Sequence, residues 1–167
     1  MQPITRVLHP GAIARGVLIA AAILASAAPA RAQLIDTKVL SLQAAKTMVT
    51  AAEAEARKHS WTMVIAVVDQ SGDLIVLHRM DDVQVGSVDI AIAKARTAAR
   101  FKRATKALGD ALAAGNTGIL SIGGAVALAG GVPIMVDGKV VGAVGCSGMA
   151  ADQDAIVAQA GADAISH

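Results

Sequence analysis

Two residues in this sequence with chemistry beyond packing, His78 and Met80, stand close together. In the run from Leu74 to Met80, strand alternation puts Leu74, Val76, His78 and Met80 on one face. An imidazole and a thioether among apolar neighbours are the material of a haem pocket, since both are axial iron ligands. Residues two apart on a strand lie about 6.6 Å from each other and project from the same side, so they do not readily serve one iron together. A second ligand then comes from elsewhere, another subunit included. The competing reading is a half-buried sheet histidine beside a methionine that fills the core. The remaining histidines offer less: His9 lies near the start, His59 closes a helix where its charge suits the C-terminus, and His167 is the last residue.

A second group is cationic. Lys94, Arg96, Arg100, Lys102, Arg103 and Lys106 follow one another without an acid among them. Helical spacing puts Arg96, Arg100 and Arg103 on one face and Ala91, Ala95 and Ala98 on another that allows close packing. A basic stripe beside an apolar surface suits carboxylates, haem propionates among them; the alternative is a solvated helix face.

The third candidate is "GAVGCSGMAADQD", Gly142 to Asp154. It is not a nucleophile elbow, because Met149 stands where the second glycine of G-x-S-x-G belongs. Cys146 has no histidine near it in sequence to act as a base, which makes it an inert thiol. Glycines ahead of a helix can cradle an anion. Asp152 and Asp154 in the first turn already satisfy the helix dipole, however, and favour a joint between strand and helix.

The elements that must position these residues read clearly. Leu42, Ala45, Met48, Val49, Ala52 and Ala56 recur at helical spacing, with Ser41 as N-cap and basic residues at the far end near His59. Two β-branched runs around Gln70-Ser71-Gly72-Asp73 predict a hairpin, and their almost wholly apolar character predicts cover on both faces. Val88 to Ala114 predicts one long helix, or two broken near Gly109. Val132 to Val136 and Val140 to Val144, joined by Asp137-Gly138, predict a second hairpin, and a last helix runs from about Ala151 to Ile165. Helix, hairpin, helices, hairpin, helix is the order of an α+β fold with a largely antiparallel sheet, and lacks the alternation of a Rossmann domain.

The start of the chain is set apart from this domain. Arg6 and Arg15 precede an apolar run, Val17 to Ala28, and "ARA" at 30–32 supplies a small-x-small cleavage site. Residues 1–32 therefore read as a secretory signal peptide, with Gln33 as the mature N-terminus and a periplasmic or secreted location. The apolar run is too short to span a bilayer, and no membrane span is expected in the mature chain. Residues 33–167 make one domain's length. The leader carries Arg6, Arg15 and Arg31 and no acid, so the 15 basic residues fall to 12 against 13 acidic ones. The basic isoelectric point of the full sequence thus says nothing about the mature protein. With no tyrosine, and only Trp61 and Phe101 to stack on bases, nucleic-acid binding has little support. Cys146 is the only cysteine, so no disulfide forms within the chain.

Several stretches in order resemble a known family. "RMDD" (79–82), "SVDIAIAKARTAARF" (87–101), "GGVPIMVDGKVVGAVGCSG" (130–148) and "QDAIVAQAGADAI" (153–165) are similar to the family of GlcG, HbpS and the C-terminal domain of PduO, over nearly all of the mature chain. The resemblance implies a profilin-like α/β architecture with a central antiparallel sheet flanked by helices, compact homo-oligomers, and haem binding in several members. It places Arg79, Met80 and Asp81 in the R-M-D motif, Lys94 and Thr97 in the K-A-x-T-A helix, and Gly145, Ser147 and Gly148 in the turn after the last strand. Asp82 stands where the family commonly has glycine, and Met149-Ala150 where it has glycine-threonine. The expected cofactor is haem, and the expected site combines His78 as iron ligand with Arg79, Met80, Lys94, Thr97 and Arg100. The leading function is an exported haem-binding protein that stores, carries or buffers haem. An enzyme acting on haem or on a small carboxylate, and a purely structural oligomeric module, are the alternatives.

Overall fold

In the computed structural model, which describes residues 35–165, the first helix, α1, spans Leu42–Lys58. Ser41 Oγ accepts from the Ala44 N–H at 3.1 Å, and Arg57 and Lys58 close the last turn, so both ends carry the chemistry that stabilises them. The first hairpin joins β1 (Val64–Asp69) to β2 (Leu74–Arg79). Asp69 Oδ1 accepts from the N–H groups of Ser71 and Asp73, which holds the turn closed.

Two helices follow, α2 (Ser87–Phe101) and α3 (Thr105–Ala113). The break falls at Lys102, which adopts a left-handed φ of 52°, and not near Gly109. Gly109 is instead a packing glycine: a Cβ there would lie 2.9 Å from the Ala127 carbonyl oxygen. A 3-10 turn at Thr117–Ser121 leads to β3 (Gly131–Val136) and β4 (Lys139–Ser147). Asp137 and Gly138, at φ 49° and 71°, form the two-residue connection that the Asp-Gly pair predicts. The last helix, α4, covers Ala151–Asp163.

The four strands form one antiparallel sheet in the order β2-β1-β4-β3. The architecture is α+β, with a layer of helices on each face. Alternation along β1 sorts its side chains: Ile65 and Val67 meet Met48, Ala52 and Val157 of α1 and α4, while Val64, Ala66 and Val68 meet Ala91, Ala95 and Ala98 of α2. The alanine stripe of α2 lets that helix lie almost on the backbone of β4. A Cβ on Gly145 would fall on the Ala91 carbonyl oxygen and the Ala95 nitrogen, which explains a glycine in mid-strand. Among the described residues no helix is long and apolar enough to cross a membrane. The leader region 1–32 and His167 lie outside the described residues.

β1 is covered on both faces as its sequence predicts, but β2 is not. Leu74, Leu77 and Arg79 are exposed and Ile75, Val76 and His78 are partly so. β2 is an edge strand, and α2 packs mainly across β1, β4 and β3.

Candidate functional site

The hairpin register places His78 opposite Ile65 and Val76 opposite Val67, so both side chains face α1 and α4. A bulge between Val67 and Val68 sets Leu74 opposite Val68, which transfers Leu74 to the α2 face and breaks the expected four-residue stripe. Met80 lies beyond the strand end, donates its N–H to the Met63 carbonyl at 3.0 Å and packs in the core with 9% exposure. The His78 side chain is 36% exposed. Its Nε2 lies 3.2 Å from Glu53 Oε2, close enough for charge pairing, yet without the alignment of a hydrogen bond, and that atom is enclosed. Glu53 in turn accepts from Arg57.

Lys94 points the opposite way, inward from α2 toward the end of β4. Its side chain is 2% exposed, and Nζ donates to Asp154 Oδ2 at 2.7 Å and to the Cys146 carbonyl at 3.2 Å. Asp154 Oδ1 accepts the Met149 N–H at 3.0 Å, so one carboxylate joins α2, the strand end and the start of α4. Burial raises the Asp154 pKa, against the opposing pull of Lys94 and of the Met149 and Gly148 N–H groups. Cys146 lies beneath this pair, fully buried, and burial lifts its thiol far above the ordinary range. The glycines here serve close approach. A Cβ on Gly148 would strike the Thr62 carbonyl, and one on Gly130 would sit 2.9 Å from Lys94 Nζ. The stretch from Gly142 to Asp154 is therefore the joint between strand and helix. Ala150 offers no cap at the start of α4, and Gln153 takes its place by accepting the Ala150 N–H at 3.1 Å. Asp82 adopts φ 60°, a left-handed conformation that glycine takes freely.

The other residues of the expected site scatter. Thr97 is buried; its Oγ1 donates to the Ala93 carbonyl at 2.8 Å and accepts the Val126 N–H at 3.0 Å, fixing the loop before β3. Arg79 is exposed, opposite Val64 on the α2 face. Arg100 donates from Nε to the Ser71 carbonyl at 2.8 Å and Arg96 from Nε to the Gly72 carbonyl at 3.0 Å, so both grip the first hairpin turn. Arg103 falls past the end of α2 and leaves their face. His78 and the cations of α2 thus occupy opposite sides of the sheet, and one ligand on one chain does not meet both. Among the described residues no cluster of three or more His, Cys, Asp or Glu side chains is placed to hold a bare metal ion.

The fold is shared with known proteins. Residues 40–163 match the HbpS-like family, described as "Haem degrading protein HbpS-like". The chain belongs to the HbpS-like family. The GlcG protein of Escherichia coli is 42% identical over 114 residues, which is 68% of this chain and 85% of that one. A double mutant of Streptomyces reticuli HbpS superposes with a TM-score of 0.74 at 35% identity, covering 85% of this chain and 99% of that one. The crystal structure of a PduOC:Heme complex superposes with a TM-score of 0.70 at 31% identity, covering 77% of this chain and 96% of that one.

Among the stretches by which the HbpS-like family is recognised in this sequence, the K-A-x-T-A helix and the turn after β4 are largely architectural here. Lys94 is the internal cation, Thr97 the loop anchor, and Gly145 and Gly148 the contact points of helix and strand. Asp154 is the residue that sequence reasoning missed as a partner. Its signal, an acid opening the last helix, is indistinguishable from ordinary dipole compensation.

Proposed function

We propose that this HbpS-like chain binds haem or a closely related tetrapyrrole outside the cytoplasm, and stores, carries or buffers it. The observation that carries the reading is the similarity, over most of both chains, to the PduOC:Heme complex. The residues present fit the group at one place. His78 has one ring nitrogen, Nε2, enclosed beside Glu53, a side chain partly open at the sheet edge through which the other ring nitrogen would meet the iron, and partly buried Ile75 and Val76 nearby on the same strand. Glu53 behind the ring would orient and polarise it, as carboxylates do for metal-bound histidines. Arg57, which shares the Glu53 carboxylate, is the cation beside it. When bound, haem supplies the iron and the Soret chromophore; the chain supplies the imidazole, the charge behind it and the apolar surroundings.

Haemin titration tests this. The expected result is a saturable Soret shift near stoichiometric haem, and its absence overturns the proposal. Export is tested by N-terminal sequencing of protein recovered from the cell envelope or medium, where Gln33 is the expected first residue. The homo-oligomer expected of this fold is tested by light scattering. The family description favours a second reading, haem degradation. Loss of Soret absorbance with a reductant, beyond that of free haem, distinguishes turnover from binding.

A further inference from the structure

On the face of the sheet opposite His78, α2 carries a groove of about 370 Å³ lined by Asp89, Ile92, Ala93, Arg96, Arg100 and Gly124. We infer that Arg96 and Arg100 form a carboxylate clamp in this groove, a binding site separate from the haem site proposed at His78.

Three observations carry the inference. First, the two guanidiniums are four residues apart on one helix, where like charges destabilise each other, and no acid among the described residues pairs with either. A bound anion removes that repulsion. Second, both are held in place. Each Nε is committed to a carbonyl of the β1–β2 turn, at 3.0 Å for Arg96 and 2.8 Å for Arg100, while the terminal nitrogens of the forks make no hydrogen bond within the described residues. Forks fixed in advance lose little entropy on binding and suit the paired oxygens of a carboxylate. Third, the turn is shaped around the pair. Gly72 has φ 88°, and a Cβ there would lie 2.8 Å from Arg100 Nε and 3.3 Å from Arg96 Cγ.

Asp89 lines the same groove about two helical turns from Arg96 and has no ion-pair partner among the described residues. It repels a negative group at its own end, so the anionic end of a ligand is directed to the arginines, across a floor made by Ile92 and Ala93. The ligand class is a carboxylate with a small apolar body. Its source is either a free organic acid or the propionate edge of a tetrapyrrole other than one held by His78 of the same chain.

Butyrate titration of the full mature chain, followed through the Arg96 and Arg100 Nε–H resonances, tests the clamp. Saturable shifts at both are expected. Replacing either arginine by glutamine should weaken binding by about tenfold, the loss expected for one charged hydrogen bond. Arg103→Gln should leave it unchanged. Haemin is then compared with haemin dimethyl ester on the native chain, which needs no variant and is indifferent to any loosening of the turn. Weaker binding of the ester, with the same loss in Arg100→Gln, assigns the carboxylate to haem; equal binding of both, with butyrate shifts intact, assigns it to a free acid. Haemin binding that ignores esterification, together with no butyrate shift, overturns the clamp and leaves the haem reading standing. Butyrate shifts without any haemin binding uphold the clamp and overturn the haem reading.

Discussion

Lys94 Nζ lies 2.7 Å from Asp154 Oδ2, with the two side chains 2% and 3% exposed, and this pair ties α2 to α4 across the end of β4. Removing one partner of a buried pair leaves the other charge without compensation. Lys94→Met should therefore cost about 3–5 kcal/mol of stability, and Lys94→Met with Asp154→Leu should recover most of it. Urea unfolding of the three proteins measures this. A loss under about 1 kcal/mol in the single variant, the size of an exposed pair, would contradict the buried arrangement.

Asp154 also gives a pH dependence with a definite sign. Burial raises its carboxyl pKa more than Lys94 and the Met149 and Gly148 N–H groups lower it, so the folded chain holds this proton more tightly than the unfolded one. The stability linked to that proton is complete below the unfolded carboxylate pKa and is lost as pH rises through the folded value. The Asp154 carboxyl carbon should titrate by NMR above the ordinary aspartate range. A midpoint below that range would mean that the ion pair outweighs desolvation.

Cys146 should be silent toward alkylation. Its thiol is enclosed and, through burial with Asp154 adding to the effect, ionises far above the ordinary range, so thiolate is scarce at neutral pH. Iodoacetamide should label the chain only after denaturation, as read by intact mass. Stoichiometric labelling in native buffer would sink the account of the joint.

How much of this was legible in the sequence depended on whether the cause was local. The Asp137-Gly138 turn, the Ser41 cap and the alanine face of α2 are short-range signals, and the structure carries each of them. The break between α2 and α3 was not legible at Lys102, because a lysine in a left-handed conformation leaves no mark, while Gly109 invited a break and proved to be a packing contact. The bulge that turns Leu74 to the other face of β2 is equally invisible to a strict period of two. Lys94 sits beside Ala91, Ala95 and Ala98, a faint sign that it shares the inward side. Its carboxylate lies 60 residues away on another helix, and no spacing rule reaches that far.

Thr97 should prove to be an anchor for the loop before β3. Thr97→Val removes the acceptor of the Val126 N–H, and a polar group left unpaired costs about 1–3 kcal/mol. Hydrogen exchange at Val126 should quicken, Thr97→Ser should restore it, and the spectrum of bound haem should not move. Unchanged exchange in Thr97→Val would remove the anchoring role.

The His78 assignment separates two explanations of haem binding. If the imidazole ligates the iron, His78→Ala should shift and broaden the Soret band and weaken affinity. Met80→Leu should leave the band in place, because the thioether is packed in the core beside Met63 and the α1 and α4 side chains. Arg79→Ala should also be neutral, since that side chain points to the opposite face. Glu53→Gln tests the carboxylate behind the ring: it keeps the shape but loses the charge, and a weaker imidazole ligand should appear as a smaller shift at the same haem stoichiometry. A full-strength, unshifted Soret band in His78→Ala would reject ligation by this residue and direct the search to a side chain supplied by a second subunit.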